Sequence, residues 1–561
     1  MKKNKANLFN FFSNKELLFF LIIALLLLLI SLLEVISISS IPIFANYYFK
    51  KENSILLDEK YFSLLDSYIS LESLSVIIIL IFLIKNSVAF LINVVQNKFI
   101  KQFLIKIAVK LHINILERNY LYFSKVSSSL IVRNLSHDID QVGIFLNSSM
   151  TLLKEFLIVC FFLILIIKIG LFQGILFLFS IALILFLIFR TYKKNIDKIS
   201  KKFQILKAKH IKHLNDERSL IQEIKIYLLY DFYNKNFKKI QTQLENLKFL
   251  KNIIVATPKL IIEVIFIIFF ICLLYILTKF FNTDEIFELV ILLSIISIRF
   301  IPIYGSISSS FITMRTTYPS INMLVNELSV SSFKSDKKIF KNKELITKEN
   351  INNHKKSFLY LHNLNFSFTK NKKIIKKFNY IILKKDFVGI LGPSGSGKTT
   401  LLNIICGLIA PNSGNIYHYG KSIYLDLDNW KKKIGYVSSS SIILNSSLIE
   451  NIVLEKEINK KKIIKILKLL NMEKFINNLY FKLGDNGSAL SSGQKQRILI
   501  ARVLYRDPEL LIFDEVTNFL DSKNEANVIK LIRNLNKIKP VIFISHKKEN
   551  LKYCNKIINF N

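Results

Sequence analysis

Cysteine is nearly absent from the chain: there are four in 561 residues, Cys160, Cys272, Cys406 and Cys554, and no C-x-x-C pair among them. That scarcity excludes a disulfide framework and a thiolate zinc site. Acidic side chains are also few, 40 Asp and Glu against 78 Lys and Arg, which leaves a formal net charge of +38. Such an excess raises the question of nucleic acid. The basic residues fall in particular loops, however, without the aromatic interleaving of a base-stacking patch, so nucleic acid is not an expected partner. A small-x-small cleavage site before Pro42 is missing too, and the first apolar run is too long for a secretory signal.

Apolar residues are what the chain has in quantity, 51% of the total with 47 Phe, and the mean hydropathy is positive. A soluble domain of this length would not carry so much apolar side chain, and membrane spans are expected. Runs long enough to cross a bilayer lie near residues 17–37, 74–95, 152–169, 171–190, 260–280 and 286–305. The third and fourth meet at Lys168-Ile169-Gly170, which reads as a tight turn. Lys and Arg crowd the first five residues, the segments Lys98 to Arg133 and Arg190 to Lys251, and everything after Lys334. The segment Lys50 to Glu72 is charge-balanced, and Asn282-Thr283-Asp284-Glu285 is acidic. This asymmetry is the positive-inside pattern and predicts cytoplasmic termini.

The chemistry-bearing motif lies beyond the last run. A strand-like stretch, Phe387 to Leu391, breaks into Gly392-Pro393-Ser394-Gly395-Ser396-Gly397-Lys398-Thr399-Thr400 and then into the apolar segment Leu401 to Cys406. This matches G-x-x-x-x-G-K-[ST], a phosphate cradle. Gly395 and Gly397 let backbone N–H groups converge, Lys398 supplies a positive charge to the terminal phosphates, and Thr399 offers a hydroxyl to Mg²⁺. Downstream, Leu510 to Phe513 is an apolar strand ending in Asp514 and Glu515, where Asp514 can hold the Mg²⁺ shell and Glu515 can polarise a water. Leu490-Ser491-Ser492-Gly493-Gln494 precedes that strand, and Val541 to Ser545 is a further apolar strand delivering His546.

With these four motifs in order, residues from about Phe358 to Asn561 resemble the ATP-binding-cassette family. The resemblance implies that Ser491, Gly493 and Gln494 form a signature loop capping the γ-phosphate of ATP held by an opposite cassette. His546 is then the switch histidine, Asn518 to Asp521 a dimer-contact loop, and Phe368 the aromatic that stacks on adenine. One phosphate loop and one signature per chain imply a dimer, with a second copy or with a different half-transporter. Ser439 stands where the family carries a Gln that reaches Mg²⁺ and relays nucleotide state, and Ser492 replaces a signature Gly. Serine reaches only through a bridging water, so slower hydrolysis or looser coupling is expected, with an active site still retained through Glu515 and His546.

The order of six spans, long inner loops and a C-terminal cassette resembles exporters. The expected fold is an all-α six-helix transmembrane domain (residues 1–333), a linker (334–357) and a cytoplasmic α/β P-loop nucleotide-binding domain (358–561), in a bacterial inner membrane. Two inner excursions, about 97–150 and 191–255, are long enough to project paired helices. Within them Tyr122 to Asp140 resembles the first coupling loop, implying a seat in a cassette groove. Gln222 to Ile226, Thr257 to Glu263, and Arg299 to Pro302 with Tyr318-Pro319-Ser320 look like lipid-linked oligosaccharide flippases. An anionic, amphipathic lipid cargo would need cations along its path, and Lys85, Lys259 and Arg299 lie in or beside three spans. Each could instead snorkel or pair with Glu34, Glu155 or Glu263. Drug, lipid or peptide export, and a degenerate regulatory half of a heterodimer, remain the alternatives.

Overall fold

The computed structural model describes residues 11–48, 70–168, 172–280, 283–329, 356–369, 372–454, 457–518 and 520–560. The basic N-terminus, most of the Lys50 to Glu72 segment, the Lys168-to-Gly170 turn beyond Lys168, nearly all of the expected linker and Phe519 lie outside them. By packing, the chain divides into two units. One comprises Met1–Glu117 with Lys125–Ser332, the other Arg118–Ser124 with Phe333–Asn561.

The first unit is helical. Its long helices are Asn14–Tyr48, Leu71–Leu116, His137–Lys168, Phe172–Ser219, Tyr230–Phe280 and Thr283–Ser329, and each apolar run read from the sequence falls on one of them, apart from residues 169 and 171. Among the described residues three stretches are long and apolar enough to cross a membrane, Asn14–Ile41, Leu71–Leu116 and Ser128–Ile164. The Leu71–Leu116 helix has 46 residues, about 69 Å at 1.5 Å per residue, over twice the ~30 Å hydrocarbon core. Its second half therefore continues past a span, and there lysines recur among buried Phe99, Phe103, Ile107 and Leu111. The last two helices run on through Pro258, and through Pro302 and Pro319, without a break.

Polar ties cross the helices of this unit. Gln96 Nε2 donates to Asn147 Oδ1 at 2.8 Å, Gln204 Nε2 to Ser320 Oγ at 2.7 Å, and Arg315 Nη2 to Asp197 Oδ2 at 2.7 Å. Among the described residues the most enclosed ion pair is Arg133 Nε with Asp138 Oδ2 at 3.1 Å, both side chains almost wholly buried. Arg133 also donates to the Gln204 carbonyl at 3.5 Å and to Asn134 Oδ1 at 2.9 Å, so one guanidinium ties the Ser128–Leu135 helix to its neighbours. Residues 133 to 138 of the expected coupling loop thus serve packing inside the helical unit. Tyr122 to Ser124 go with the other unit, as does Leu121 just before them, which packs against an apolar cluster of that unit.

The second unit has two sheets. One is antiparallel, in the order β2-β1-β4-β5, with β1 at Leu359–Thr369, β2 at Lys372–Ile382, β4 at Ser413–His418 and β5 at Lys421–Ser422. The other is parallel, in the order β6-β7-β8-β3-β9: β3 is Phe387–Leu391, β6 Ile434–Ser438, β7 Leu510–Asp514, β8 Val541–Ile544 and β9 Lys556–Asn559. The inner strands are buried along their length, as a parallel sheet covered on both faces requires. Alternation divides their side chains between two cores. Phe387, Leu511, Phe513, Val541 and Phe543 meet the Ser492–Tyr505 and Ser522–Asn536 helices. Val388, Ile390, Leu510, Ile512, Ile542 and Ile544 meet the Lys398–Ile405 helix and the antiparallel sheet. The single Trp, Trp430, closes that second core by donating its indole N–H to the Ile405 carbonyl at 2.8 Å.

Arg133→Ala should destabilise the helical unit by about 3–5 kcal/mol, because it leaves the Asp138 charge buried without its partner. The double change Arg133→Met with Asp138→Leu should cost less than that single one. Thermal melts of the detergent-solubilised chain check the order, and a double variant less stable than Arg133→Ala contradicts it.

Candidate functional site: the carboxyl edge of the parallel sheet

Strand register decides what can meet. Ser438 of β6 is level with Asp514 of β7, Asp514 with Ile544 of β8, and Ile544 with Ile390 of β3. The chain leaves all four strands within a few residues of that row, so the phosphate loop, Asp514-Glu515, His546 and Ser439 share one edge. In open parallel sheets this carboxyl edge is where ligands bind.

The phosphate loop reaches its shape through two glycines with positive φ, Gly395 at +81° and Gly397 at +107°. Gly397 caps the N-terminus of the Lys398–Ile405 helix, and a Cβ there would meet Ile374 Cγ2 at 2.5 Å. At Gly392 a Cβ would meet the Phe560 carbonyl oxygen, again at 2.5 Å. The loop therefore admits no side chain at either position. Lys398 is buried, and its ammonium donates to the carbonyls of Gly392 at 2.6 Å and Pro393 at 3.0 Å, so it lies within the loop's own curve. Ser394 is exposed at the turn, Thr399 is exposed in the first helical turn, and Thr400 is half-buried behind it. The Ser396 hydroxyl is buried without a hydrogen-bond partner.

Asp514 is buried at the end of β7 and accepts a hydrogen bond from the Tyr436 hydroxyl at 2.8 Å. Burial pushes its carboxyl above the usual carboxylate range, against the pull of that hydrogen bond and of Lys398. Glu515 follows with φ +55°, a left-handed conformation that non-glycine residues seldom adopt. Both of its carboxylate oxygens are held: Oε1 lies 2.6 Å from His546 Nε2, and Oε2 accepts from Asn518 Nδ2 at 2.8 Å. Ser439 meets this group through its backbone N–H, which donates to the Asp514 carbonyl at 3.1 Å. The neighbouring hydroxyls of Ser438, Ser440 and Ser441 bond among themselves.

The residues at this edge fit a magnesium nucleotide. The orphaned Ser396 hydroxyl, glycine backbone at a helix N-terminus and Lys398 suit phosphate oxygens, while the Thr399 hydroxyl and Asp514 carboxylate are hard oxygen donors of the kind Mg²⁺ takes. Phe368 stands at the end of β1, exposed and perpendicular to the Phe366 ring with centroids 5.0 Å apart. Ser491, Gly493 and Gln494 occupy the start of the Ser492–Tyr505 helix, where Ser491 and Gln494 form a reciprocal capping box. At Gly493 a Cβ would meet Asn524 Oδ1 of the Ser522–Asn536 helix at 2.8 Å.

The three candidate cargo residues lie on three different helices. Lys85 is buried in an ion pair with Glu34 at 3.2 Å. Lys259 is exposed on the Tyr230–Phe280 helix, its Cγ 3.4 Å from where a Gly305 Cβ would sit. Arg299 lies on the Thr283–Ser329 helix with its side chain outside the described residues. Sequence reasoning missed Tyr436 and the Asn518 contact with Glu515. Tyr436 left no signal in the sequence, because its closeness to Asp514 comes from strand register: it is level with Ile512, two residues before Asp514 and on the same face.

Comparison with known proteins agrees with this geometry. Residues 375–518 match the family model described as ABC transporter. The lacticin-481/lactococcin-DR transport/processing ATP-binding protein of Lactococcus lactis is 31% identical over 47% of this chain and 38% of its own length. The alpha-hemolysin translocation ATP-binding protein of Escherichia coli O157:H7 is 36% identical over 35% of this chain and 29% of its own. The chain thus spans well under half the length of these curated relatives. A bacterial Atm1-family ABC exporter solved with ATP bound shares the fold, with a TM-score of 0.77, 14% identity, and coverage of 98% of this chain and 93% of that one.

Gly397→Ala forces a Cβ into a left-handed position already pressed by Ile374. Strain of about 1–3 kcal/mol corresponds to roughly a 5- to 150-fold loss of nucleotide affinity. A fluorescent-nucleotide titration checks it, and undiminished affinity would contradict the cradle.

Proposed function

We propose that the chain is one half of an ATP-driven membrane exporter that hydrolyses ATP at a site built on its cassette. The observation that carries this reading is the convergence of Lys398, Asp514, Glu515 and His546 on one sheet edge. ATP phosphates would lie on the backbone N–H groups of Gly395 to Thr399, with Phe368 against the base and Lys398 turning from its loop carbonyls to the terminal phosphates. Bound Mg²⁺ would be held by Thr399 and Asp514 and would neutralise phosphate charge as the bond to the leaving group breaks. Glu515 accepts a proton from the attacking water, and His546 and Asn518 fix its carboxylate in the orientation that requires.

A second half-transporter completes the assembly. The rigid capping box of Ser491 and Gln494 presents that helix start to a nucleotide held elsewhere, and a homodimer is the simplest arrangement. The Lys and Arg distribution supports a cytoplasmic cassette in a bacterial inner membrane.

For the cargo, the first reading is an amphipathic polypeptide, supported by relatives named for hemolysin translocation and lactococcin transport. The second is an anionic lipid-linked oligosaccharide, supported by the sequence stretches around Gln222, Pro258 and Arg299. Pairing of Lys85 with Glu34 removes one of its three cations from service.

Glu515→Gln should lower ATP turnover by roughly 10²- to 10⁴-fold while ATP binding persists, whereas Lys398→Ala should weaken binding itself. Full turnover in purified Glu515→Gln would overturn the ATPase assignment.

The two cargo readings separate on Arg299→Ala. In proteoliposomes this change should stop anionic-lipid translocation under the lipid reading, with basal ATP hydrolysis retained. ATP-dependent uptake of a fluorescent amphipathic peptide, with no lipid movement in the unaltered protein, is the outcome expected under the first reading.

A further inference from the structure

Asp514 sits at the end of a strand buried on both faces, and alternation along that strand puts its carboxylate on the same side as Leu510 and Ile512. Strand β6 lies beside it in parallel, and Tyr436 is level with Ile512, one diagonal step from Asp514. The phenol crosses that diagonal and donates to Asp514 Oδ2 at 2.8 Å. Its ring is half-buried against the apolar cluster formed by Ile512, Ile404 and Trp430, so the hydroxyl is held at a fixed point. Ser439, three residues on, reaches the Asp514 residue through a backbone N–H to its carbonyl and not to its carboxylate.

We propose that Tyr436 is a positioning residue: its hydroxyl, anchored by the buried ring, fixes one oxygen of the Asp514 carboxylate so that the other faces a divalent cation beside the nucleotide. A buried carboxylate loses its hydration, and without a donor its two oxygens would be free to rotate about the terminal torsion, which is broad and roughly two-fold. One charge-assisted hydrogen bond from a packed ring selects a single orientation. The same ring shares its apolar cluster with Leu121 of the Arg118–Ser124 segment, so the residue that orients the carboxylate also touches the core on which that segment rests. The inference rests on the nucleotide-site reading given above.

Tyr436→Phe keeps the ring and removes the hydroxyl alone. In the full chain in detergent, Mn²⁺ affinity measured by electron paramagnetic resonance with a non-hydrolysable ATP analogue should fall about tenfold, the size expected for one hydrogen bond to a charged group. Binding of the same analogue in EDTA should not change. Unchanged Mn²⁺ affinity in Tyr436→Phe, with strong binding in the unaltered protein, overturns the role of Tyr436 and leaves the nucleotide site standing. Equal losses of metal-free and Mn²⁺-dependent binding also overturn it, since they mark a general structural part. Absence of analogue-dependent Mn²⁺ binding in the unaltered protein overturns the nucleotide-site reading and this one with it.

Discussion

Burial of the Asp514 carboxylate is the constraint on which the rest of the cassette edge depends. An ionised carboxylate taken from water into an apolar strand end costs several kcal/mol unless partners replace its hydration. Here the partners come from two directions, the Tyr436 hydroxyl across β6 and the Lys398 charge from the phosphate loop. Neither can be supplied without the register that sets Ser438, Asp514, Ile544 and Ile390 in one row. A slip of one residue in any strand would turn its side chains to the opposite core and separate the groups. The apolar character of β3, β7 and β8 is thus a requirement of the chemistry as much as of stability.

Local motifs were legible in the sequence because their geometry is local. The phosphate loop needs glycine at 397 through its own positive φ, while at 392 it is the carbonyl of distant Phe560 that leaves no room for a side chain. Long apolar runs were legible for the same reason, since a span needs only length and composition. What the runs did not carry was extent: the helix holding the run at 74–95 continues to Leu116, because charged residues interleaved with buried Phe103 and Leu111 keep a helical period after the apolar run has ended.

Cross-strand and cross-helix partners were not legible, because one chain read in order carries no information on which side chains lie opposite. Tyr436 stood in plain sight beside Ser439, yet its partner is 78 residues away. Lys85 is the exception, since Glu34 was among the partners its sequence position offered, and the structure makes that ion pair between two helices. Arg133 and Asp138 read as part of a loop reaching for the cassette, and they close on each other inside the helical unit. The two ion pairs are burial effects: a charge that cannot reach water takes an opposite charge, whichever element supplies it.

The loops that carry Glu515 and His546 are joined behind the site by a further buried carboxylate. Glu525, on the Ser522–Asn536 helix, accepts from Asn550 Nδ2 at 2.7 Å and from Lys547 Nζ at 2.5 Å, and it bonds the Thr517 side chain as well. Asn550 in turn donates to Ser545 Oγ at 3.3 Å. Thr517 lies two residues after Glu515, while Ser545 and Lys547 flank His546. The 2.6 Å approach of His546 to Glu515 is therefore set at two levels, directly between the side chains and again through Glu525 behind them. Hydrogen bonds through Glu525 thus tie the segment that carries Glu515 to the one that carries His546.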